Sequence, residues 1–138
     1  MALTHLADTS VLARIGRQGD VRSVIQRLMA GSSLARCTMS DLEIGASARN
    51  ADEWDLLQRA NRTLVAVDVD PGDVVRAGGV QRALAAAGLR GRKLPDLLIA
   101  AAAERRGLTV LHYDQDFELI ADVTGQPHQW VVPRGSID

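Results

Sequence analysis

Apolar residues along this chain form short runs that alternate with longer stretches of helical periodicity. The runs predict strands at residues 3–7, 34–38, 64–67, 109–112 and 129–132. The stretches between them predict helices from residue 9 or 10 to about 15, and then over 21–29, 40–49, 52–62, 71–88, 95–106 and 117–121. Pro71 and Pro95 fit first helical turns, and Gly31 and Gly107 mark helix ends.

The order of these elements predicts one α/β domain over residues 1–138. Helices between consecutive strands imply crossover connections, which build a mainly parallel sheet with helices on both faces. We expect about five strands in this sheet. The chain length of 138 residues is that of one typical domain.

Composition narrows the class of protein without indicating a function. Hydrophobic residues make up 46% and charged residues 24% of the chain, as in an ordinary folded domain. The longest nearly apolar stretch, residues 97–103, is far shorter than the ~20 residues that cross a bilayer, and the first residues lack the pattern of an export signal. The single cysteine, Cys37, lies in a predicted strand, where we expect a structural thiol. These features predict a cytoplasmic protein that does not enter membranes.

Five acidic residues follow predicted strands or lie near the starts of the next helices. Asp8 comes directly after the first strand, and Asp114 and Asp116 follow the fourth. Glu43 lies one turn into the helix after the second strand, and Asp96 lies in the first turn of the sixth predicted helix. Because an open parallel sheet binds ligands at the carboxyl ends of its strands, we expect these carboxylates to converge there.

Each carboxylate also has a structural explanation. The three aspartates that follow strands could cap helices, Ser40 and Glu43 have the spacing of a capping box, and Asp96 suits the positive end of its helix. Clustered carboxylates, however, repel one another unless they are protonated or bridged by a cation. Oxygen ligands without His or Cys favour Mg²⁺ or Mn²⁺, which can activate water against a phosphodiester. The hypothesis is therefore metal-assisted phosphoryl transfer to water.

The net charge of −1 does not exclude nucleic acid as the substrate. Without the five carboxylates, twelve acidic residues stand against sixteen basic ones, a net charge of +4. A metal that neutralises the pocket would let this surface accept a phosphate backbone. We predict that Arg90, Arg92 and Lys93, in the loop before Asp96, contact that backbone, with a solvated surface loop as the alternative.

Four segments in this order resemble the motifs of a PIN domain, specifically those of VapC-type toxins from bacterial toxin–antitoxin pairs. They are LADTS at 6–10, SDLEIG at 40–45, LPDLLIAA at 94–101 and YDQDF at 113–117. The third segment is the most specific of the four, and WVV at 130–132 resembles the closing strand of the family. The resemblance covers nearly the whole chain.

The resemblance implies an Mg²⁺- or Mn²⁺-dependent endoribonuclease that cuts structured cellular RNA and inhibits translation. Asp8 and Asp96 would be the principal metal ligands, and the hydroxyl of Thr9 or Ser10 would orient Asp8. Glu43 and Asp114 would complete the acidic pocket, with Asp116 as a secondary ligand or a residue that positions water. The family also implies a homodimer and a hetero-oligomer with a VapB-type antitoxin, whose C-terminal segment covers the active site.

Two other functions stay open from the residues alone. The chain could be a metal-dependent nuclease or phosphoesterase that acts on DNA or another phosphoester, or a non-catalytic α/β interaction module whose acidic residues are helix caps. We expect His112, beside the last acidic motif, to be structural or to lie at the rim rather than to act as a general base. We expect Trp54 and Trp130 to pack in the core or at a dimer interface rather than stack on bases.

Overall fold

The computed structural model describes residues 2–138 as one α/β domain. Its strands are β1 (His5–Ala7), β2 (Leu34–Cys37), β3 (Val65–Val67), β4 (Thr109–His112) and β5 (His128–Trp130). Its helices are α1 (Thr9–Leu12), α2 (Gly19–Ala30), α3 (Thr38–Gly45), α4 (Ala51–Asn61), α5 (Pro71–Ala86), α6 (Leu94–Arg105) and α7 (Asp116–Thr124). The predicted alternation of strands and helices is confirmed.

The five strands form one sheet in the order β3-β2-β1-β4-β5, and every neighbouring pair is parallel. In the central strand, Leu6 pairs with Ala35 on one side and with Val110 on the other. The chain builds outward from β1 through β2 to β3, and then returns to the other side of β1 to add β4 and β5. The loops that leave β1 and β4 therefore diverge and open a crevice at the carboxyl edge of the sheet.

Helices cover both faces of this sheet, as the sequence predicts. Side chains alternate along β1, so Leu6 packs into one hydrophobic cluster and Ala7 into the other. The first cluster contains Leu84 of α5 and Phe117 of α7, and the second contains Val21 of α2. None of the helices within residues 2–138 is long and apolar enough to cross a membrane.

Helix boundaries are where the sequence prediction is wrong. Helix α3 begins at Thr38, directly after β2, and ends at Gly45, whereas the pattern predicted residues 40–49. Ser40 consequently lies inside the helix and is fully buried, so it does not cap the helix. Helix α7 continues past the predicted end at residue 121, because Gly125 adopts the left-handed conformation (φ 74°) that closes the helix at Thr124.

Cys37 is a buried structural thiol, in agreement with the prediction. Its side chain lies in the core at the end of β2. Burial raises the pKa of Cys37 to about 11, so the thiol stays protonated at neutral pH.

Candidate metal and active site

A cleft of about 280 Å³ opens at the carboxyl ends of β1 and β4. Four predicted carboxylates line it: Asp8 after β1, Glu43 from α3, Asp96 from α6 and Asp114 after β4. Asp116, the first residue of α7, adjoins this lining. One carboxylate oxygen each from Asp96, Asp114 and Asp116 lies within 4.8 Å of the other two. The parallel sheet thus brings the five acidic residues to one edge.

Asp8 is buried at the base of the cleft, and only one of its carboxylate oxygens has a partner. Oδ2 accepts hydrogen bonds from the Ser10 backbone N–H (3.0 Å), by which Asp8 caps α1, and from Ser10 Oγ (2.6 Å). Oδ1 is buried without a hydrogen-bond partner among the described residues. Burial raises the pKa of Asp8 to about 6 against the effect of these hydrogen bonds, and the charge of Glu43 adds to the increase. A free, buried carboxylate oxygen therefore faces the cleft from the cap of α1.

Asp96 is the second buried carboxylate with an oxygen that accepts no hydrogen bond from the described residues. Its side chain is 4% exposed, and Oδ2 has no hydrogen-bond partner within residues 2–138. The pKa of Asp96 is raised to about 8, chiefly by burial and then by repulsion from Asp8 and Asp114. Since these acids share one pocket, a divalent cation would relieve their repulsion and occupy their free oxygens. The donor set fits a hard, oxygen-binding metal ion.

Glu43 is oriented by a residue from another element. Thr9 Oγ1 donates to Glu43 Oε1 at 2.6 Å, and the same hydroxyl lies 2.8 Å from Ser40 Oγ on α3. The carboxylate therefore turns toward the start of α1 instead of back to the N-terminus of its own helix. The capping box considered for Ser40 and Glu43 is absent, because α3 starts at the end of β2 and has no side-chain cap.

The two acidic residues after β4 are paired with the basic loop that precedes α6. Lys93 Nζ lies 2.7 Å from Asp114 Oδ2, and Arg92 Nη1 lies 3.0 Å from Asp116 Oδ1. Asp114 Oδ1 also accepts the backbone N–H of Asp116 at 2.9 Å. Burial alone would raise the pKa of Asp114, but hydrogen bonds from Lys93 and from the Asp116 amide hold it below its ordinary value. These two carboxylates are hydrogen-bonded by cations of the loop, whereas Asp96 lies at the longer distance of 4.0 Å from Lys93 Nζ.

The three basic residues predicted to contact a nucleic-acid backbone occupy different positions. Arg92 and Lys93 reach into the acidic site, whereas Arg90 is exposed and makes no ion pair within residues 2–138. Gly91 lies between them with φ 82°, a left-handed conformation that turns the chain so that the last two side chains face the pocket.

Ser10 connects two acidic segments through two hydrogen bonds, of which the sequence predicted only the one to Asp8. A hydroxyl that orients Asp8 was expected at position 9 or 10, and Ser10 supplies it. The same Ser10 Oγ accepts the backbone N–H of Tyr113 at 2.9 Å, which ties the loop before Asp114 to Asp8. Arg14, which the sequence analysis missed, also lines the cleft and lies 4.9 Å from the centre of the Tyr113 ring.

His112 is buried and structural, as expected. Its Nε2 lies 2.9 Å from His128 Nδ1, and its Nδ1 accepts the backbone N–H of Asp114 at 3.2 Å. These contacts place the ring hydrogen on Nε2. Burial and the neighbouring His128 lower the pKa of His112 to about 4, so the ring is neutral at physiological pH.

Both tryptophans make packing contacts. Trp130 Nε1 donates to Glu118 Oε1 at 2.7 Å, and its ring meets that of His112 edge-on at 4.9 Å. Trp54, on α4, packs over Gly45, where a Cβ atom would stand 2.6 Å from the indole nitrogen. Close contact between α3 and α4 therefore requires a glycine at position 45.

A larger cavity of about 740 Å³ adjoins the acidic cleft. Thr9 and Glu43 line both cavities, so the two share a wall. The walls come from helices α1 to α4 and are mainly apolar, with side chains including Leu12, Ile15, Ile25, Met29, Ile44 and Leu57. This apolar groove therefore lies beside the acidic cleft.

Comparisons with known proteins show the family to which this chain belongs. The profile of the PIN domain family matches residues 6–123. The chain is 52% identical to Ribonuclease VapC51 of Mycobacterium tuberculosis over 138 residues, which cover 100% of both proteins. It is 43% identical to Ribonuclease VapC21 of the same species, with 99% of each chain covered.

Solved structures share the fold at low sequence identity. The DNA-bound VapBC of Salmonella typhimurium aligns with a TM-score of 0.76 and 18% identity, covering 94% of this chain and 99% of the other. A toxin–antitoxin complex from Klebsiella pneumoniae aligns with a TM-score of 0.71, also at 18% identity, covering 94% and 98%. At this identity the likeness establishes the architecture of the sheet and helices.

Proposed function

The chain belongs to the PIN-domain family and, within it, to the VapC ribonucleases, and we propose that it is the toxin of a type II toxin–antitoxin pair. Its activity is metal-dependent endonucleolytic cleavage of structured cellular RNA, which inhibits translation. The observation that carries this proposal is a pair of buried oxygens in one acidic cleft, Asp8 Oδ1 and Asp96 Oδ2, that accept no hydrogen bond from any of the described residues. Helix caps alone do not require such oxygens, whereas a metal site does.

Mg²⁺ is the proposed cofactor, with Mn²⁺ able to replace it, because the donors are all carboxylate oxygens. Asp8 and Asp96 would hold the ion. When bound, such an ion supplies charge neutralisation and Lewis-acid activation of water and phosphodiester. The rest of the acidic group, Glu43, Asp114 and Asp116, surrounds this position.

The chain's own side chains prepare the site for this chemistry. Ser10 occupies Asp8 Oδ2 and so leaves Oδ1 for the cation. Thr9 holds the Glu43 carboxylate toward the cleft. We assign Glu43 and Asp114 to the catalytic group and Asp116 to the positioning of water. Each of these groups is fixed by a hydrogen bond before substrate arrives, which reduces the reorganisation needed for reaction.

The basic loop is the proposed entry for RNA. Arg90 is exposed at its start, and Arg92 and Lys93 follow it toward the carboxylates. Arginine suits phosphate oxygens because its planar guanidinium can bind them in a bidentate manner. We propose that Arg90 contacts the backbone outside the cleft and that Arg92 and Lys93 contact it nearest the scissile bond.

We propose that the whole chain, residues 1–138, forms the functional domain. The residues beyond 123 include β5, and the C-terminal tail returns to the site. Tyr113 Oη donates to the carbonyl of Ile137 at 2.9 Å and accepts the backbone N–H of Gly135 at 2.9 Å. The tail thus anchors the residue next to Asp114.

A VapB-type antitoxin is the proposed partner, and the apolar groove beside the cleft is its proposed docking site. An antitoxin segment there would reach Thr9 and Glu43 and block access to the metal position. We also propose a homodimer, because α5 and the start of α6 expose Val74, Val75 and Leu94 at 57%, 77% and 61%. Cellular RNA as substrate would place the toxin in the cytoplasm.

Cleavage of total RNA by purified protein tests the proposed activity. We expect discrete products with Mg²⁺ or Mn²⁺, none with chelator, and none with Asp96→Asn. Asp55→Asn, which changes an exposed carboxylate on α4, is the matched control and should cleave like the wild type. Equal cleavage by Asp96→Asn would contradict the proposed site, and cleavage of DNA alone would contradict the substrate.

A further inference from the structure

We infer that Lys93 takes the place of a second divalent cation, so that this chain binds one metal ion at Asp8 and Asp96. This inference rests on the proposed function and adds the number of ions and the residue that sets it. Within the acidic group, Asp8 and Asp96 each have a buried oxygen without a hydrogen-bond partner among residues 2–138, whereas Asp114 and Asp116 are hydrogen-bonded by cations of the loop before α6.

The Lys93 ammonium lies inside the carboxylate cluster. Nζ is 2.7 Å from Asp114 Oδ2 and 4.0 Å from Asp96 Oδ2, so it lies near one proposed metal ligand and is bonded to the neighbouring carboxylate. Lys93 lines the same cleft as Asp8 and Glu43.

A second divalent ion would compete with the loop for carboxylates that are already hydrogen-bonded to it. The group most suited to such an ion consists of Asp96, Asp114 and Asp116. Lys93 occupies Asp114 Oδ2, and Arg92 occupies Asp116 Oδ1. An incoming ion would have to displace the ammonium or lie against it, and like charges at such range repel.

Charge balance leads to the same number of ions. The five carboxylates, Arg92, Lys93 and one divalent cation together carry a net charge of −1. Two divalent cations without the two loop residues would give the same net charge. The loop therefore supplies the charge of one metal ion through covalently attached side chains.

The backbone holds the lysine at this position. Lys93 is the N-cap residue of α6, three residues before Asp96, and Gly91 turns the chain just before it. Its side chain is 63% exposed, so its removal leaves no cavity in the core. Substitution at this position therefore tests charge rather than folding.

Titration of metal-free protein with Mn²⁺, with the free ion followed by electron paramagnetic resonance, counts the bound ions without any RNA. We expect one ion in the wild type. Lys93→Met should bind two, with the first about tenfold tighter because a unit positive charge next to it is gone. Lys93→Arg, which keeps the charge, and Arg90→Met, which removes a charge outside the cleft, should both bind one.

Two ions in the wild type, or one in Lys93→Met, would overturn the inference. Thermal unfolding of each variant with and without Mn²⁺ checks that the counted protein is folded. Failure of the proposed function would look different: the ion counts would stand as expected, and RNA would not be cleaved.

Discussion

Substitution of Asp96 by Asn should stabilise the metal-free protein at neutral pH although it removes a proposed metal ligand. Asp96 is buried, has an oxygen without a hydrogen bond within residues 2–138 and lies among other carboxylates. Asn has nearly the same shape but no charge, so it removes the repulsion and the cost of burying a carboxylate. We therefore expect the Asp96 carboxylate, a proposed metal ligand, to lower the free energy of unfolding when no ion is bound.

The size of the effect follows from the pKa of Asp96, which burial, and then repulsion from Asp8 and Asp114, raises from 3.8 to about 8. Between these values the folded protein retains a proton that the unfolded chain has lost, so the free energy of unfolding falls as pH rises through this interval. At pH 7, which is about 3 units above the ordinary pKa of an Asp, the free energy of unfolding is lowered by at most about 4 kcal/mol, at ~1.4 kcal/mol per unit. Water entry and relaxation reduce this, and we expect a gain of about 1–2 kcal/mol.

Urea unfolding in chelator at a series of pH values measures this gain. The advantage of Asp96→Asn should be largest near pH 8 and disappear below about pH 4, where the wild-type carboxyl is protonated in both states. Excess Mg²⁺ should reverse the order, because ligand at 100 times its Kd stabilises the wild type by about 2.7 kcal/mol. Asp55→Asn should follow the wild type throughout. An Asp96→Asn protein that is less stable in chelator at pH 8, or a difference independent of pH, would refute the reasoning.

Three further substitutions or reactions probe other parts of the structure. Ser10→Ala should lower kcat by about tenfold to a hundredfold and also lower Tm, because Asp8 loses its orienting hydroxyl and the Tyr113 N–H loses its acceptor; steady-state cleavage of a defined RNA measures the change in kcat. His112→Ala should lower the free energy of unfolding by about 2–4 kcal/mol in urea, since a fully buried ring is removed. Cys37 should not react with a thiol reagent in the native protein and should react fully in denaturant, because the thiol is buried and its pKa is about 11.

Each of these expectations has a result that would contradict it. Wild-type kcat in Ser10→Ala would show that Asp8 needs no hydroxyl, and Ser10→Thr serves as the control that keeps one. Unchanged stability of His112→Ala would mean that the His112–His128 contact contributes nothing. Rapid labelling of native Cys37 would show that β2 opens readily to solvent.

Local signals predicted most of the fold. Pro71 opens α5, and Gly107 follows the end of α6 as the pattern required. The start of α3 was wrong because β2 passes into the helix without a connecting loop, and no side-chain cap marks that junction. The end of α7 was wrong because the cap is made by the backbone conformation of Gly125, four residues beyond the predicted end.

The acidic group could be anticipated because its members occupy equivalent places after strands or at helix starts. The side-chain contacts that these residues make could not be predicted from the sequence. Thr9 meets Glu43 across 34 positions of the chain, and Lys93 meets Asp114 across 21. Such pairs depend on how helices pack against the sheet, which the sequence does not show. Glu43 was therefore considered as part of a capping box, and Lys93 as a contact to the phosphate backbone of a nucleic acid.

Residue types and their periodicity were enough to define a parallel α/β domain with carboxylates at one edge, because hydrophobic pattern and strand direction are properties of the chain itself. Which carboxylates have counterions was decided by the tertiary structure. The free oxygens of Asp8 and Asp96 and the paired oxygens of Asp114 and Asp116 arise from burial and from the turn at Gly91. Charge interactions depend on distance and desolvation, and both exist only once the chain is folded.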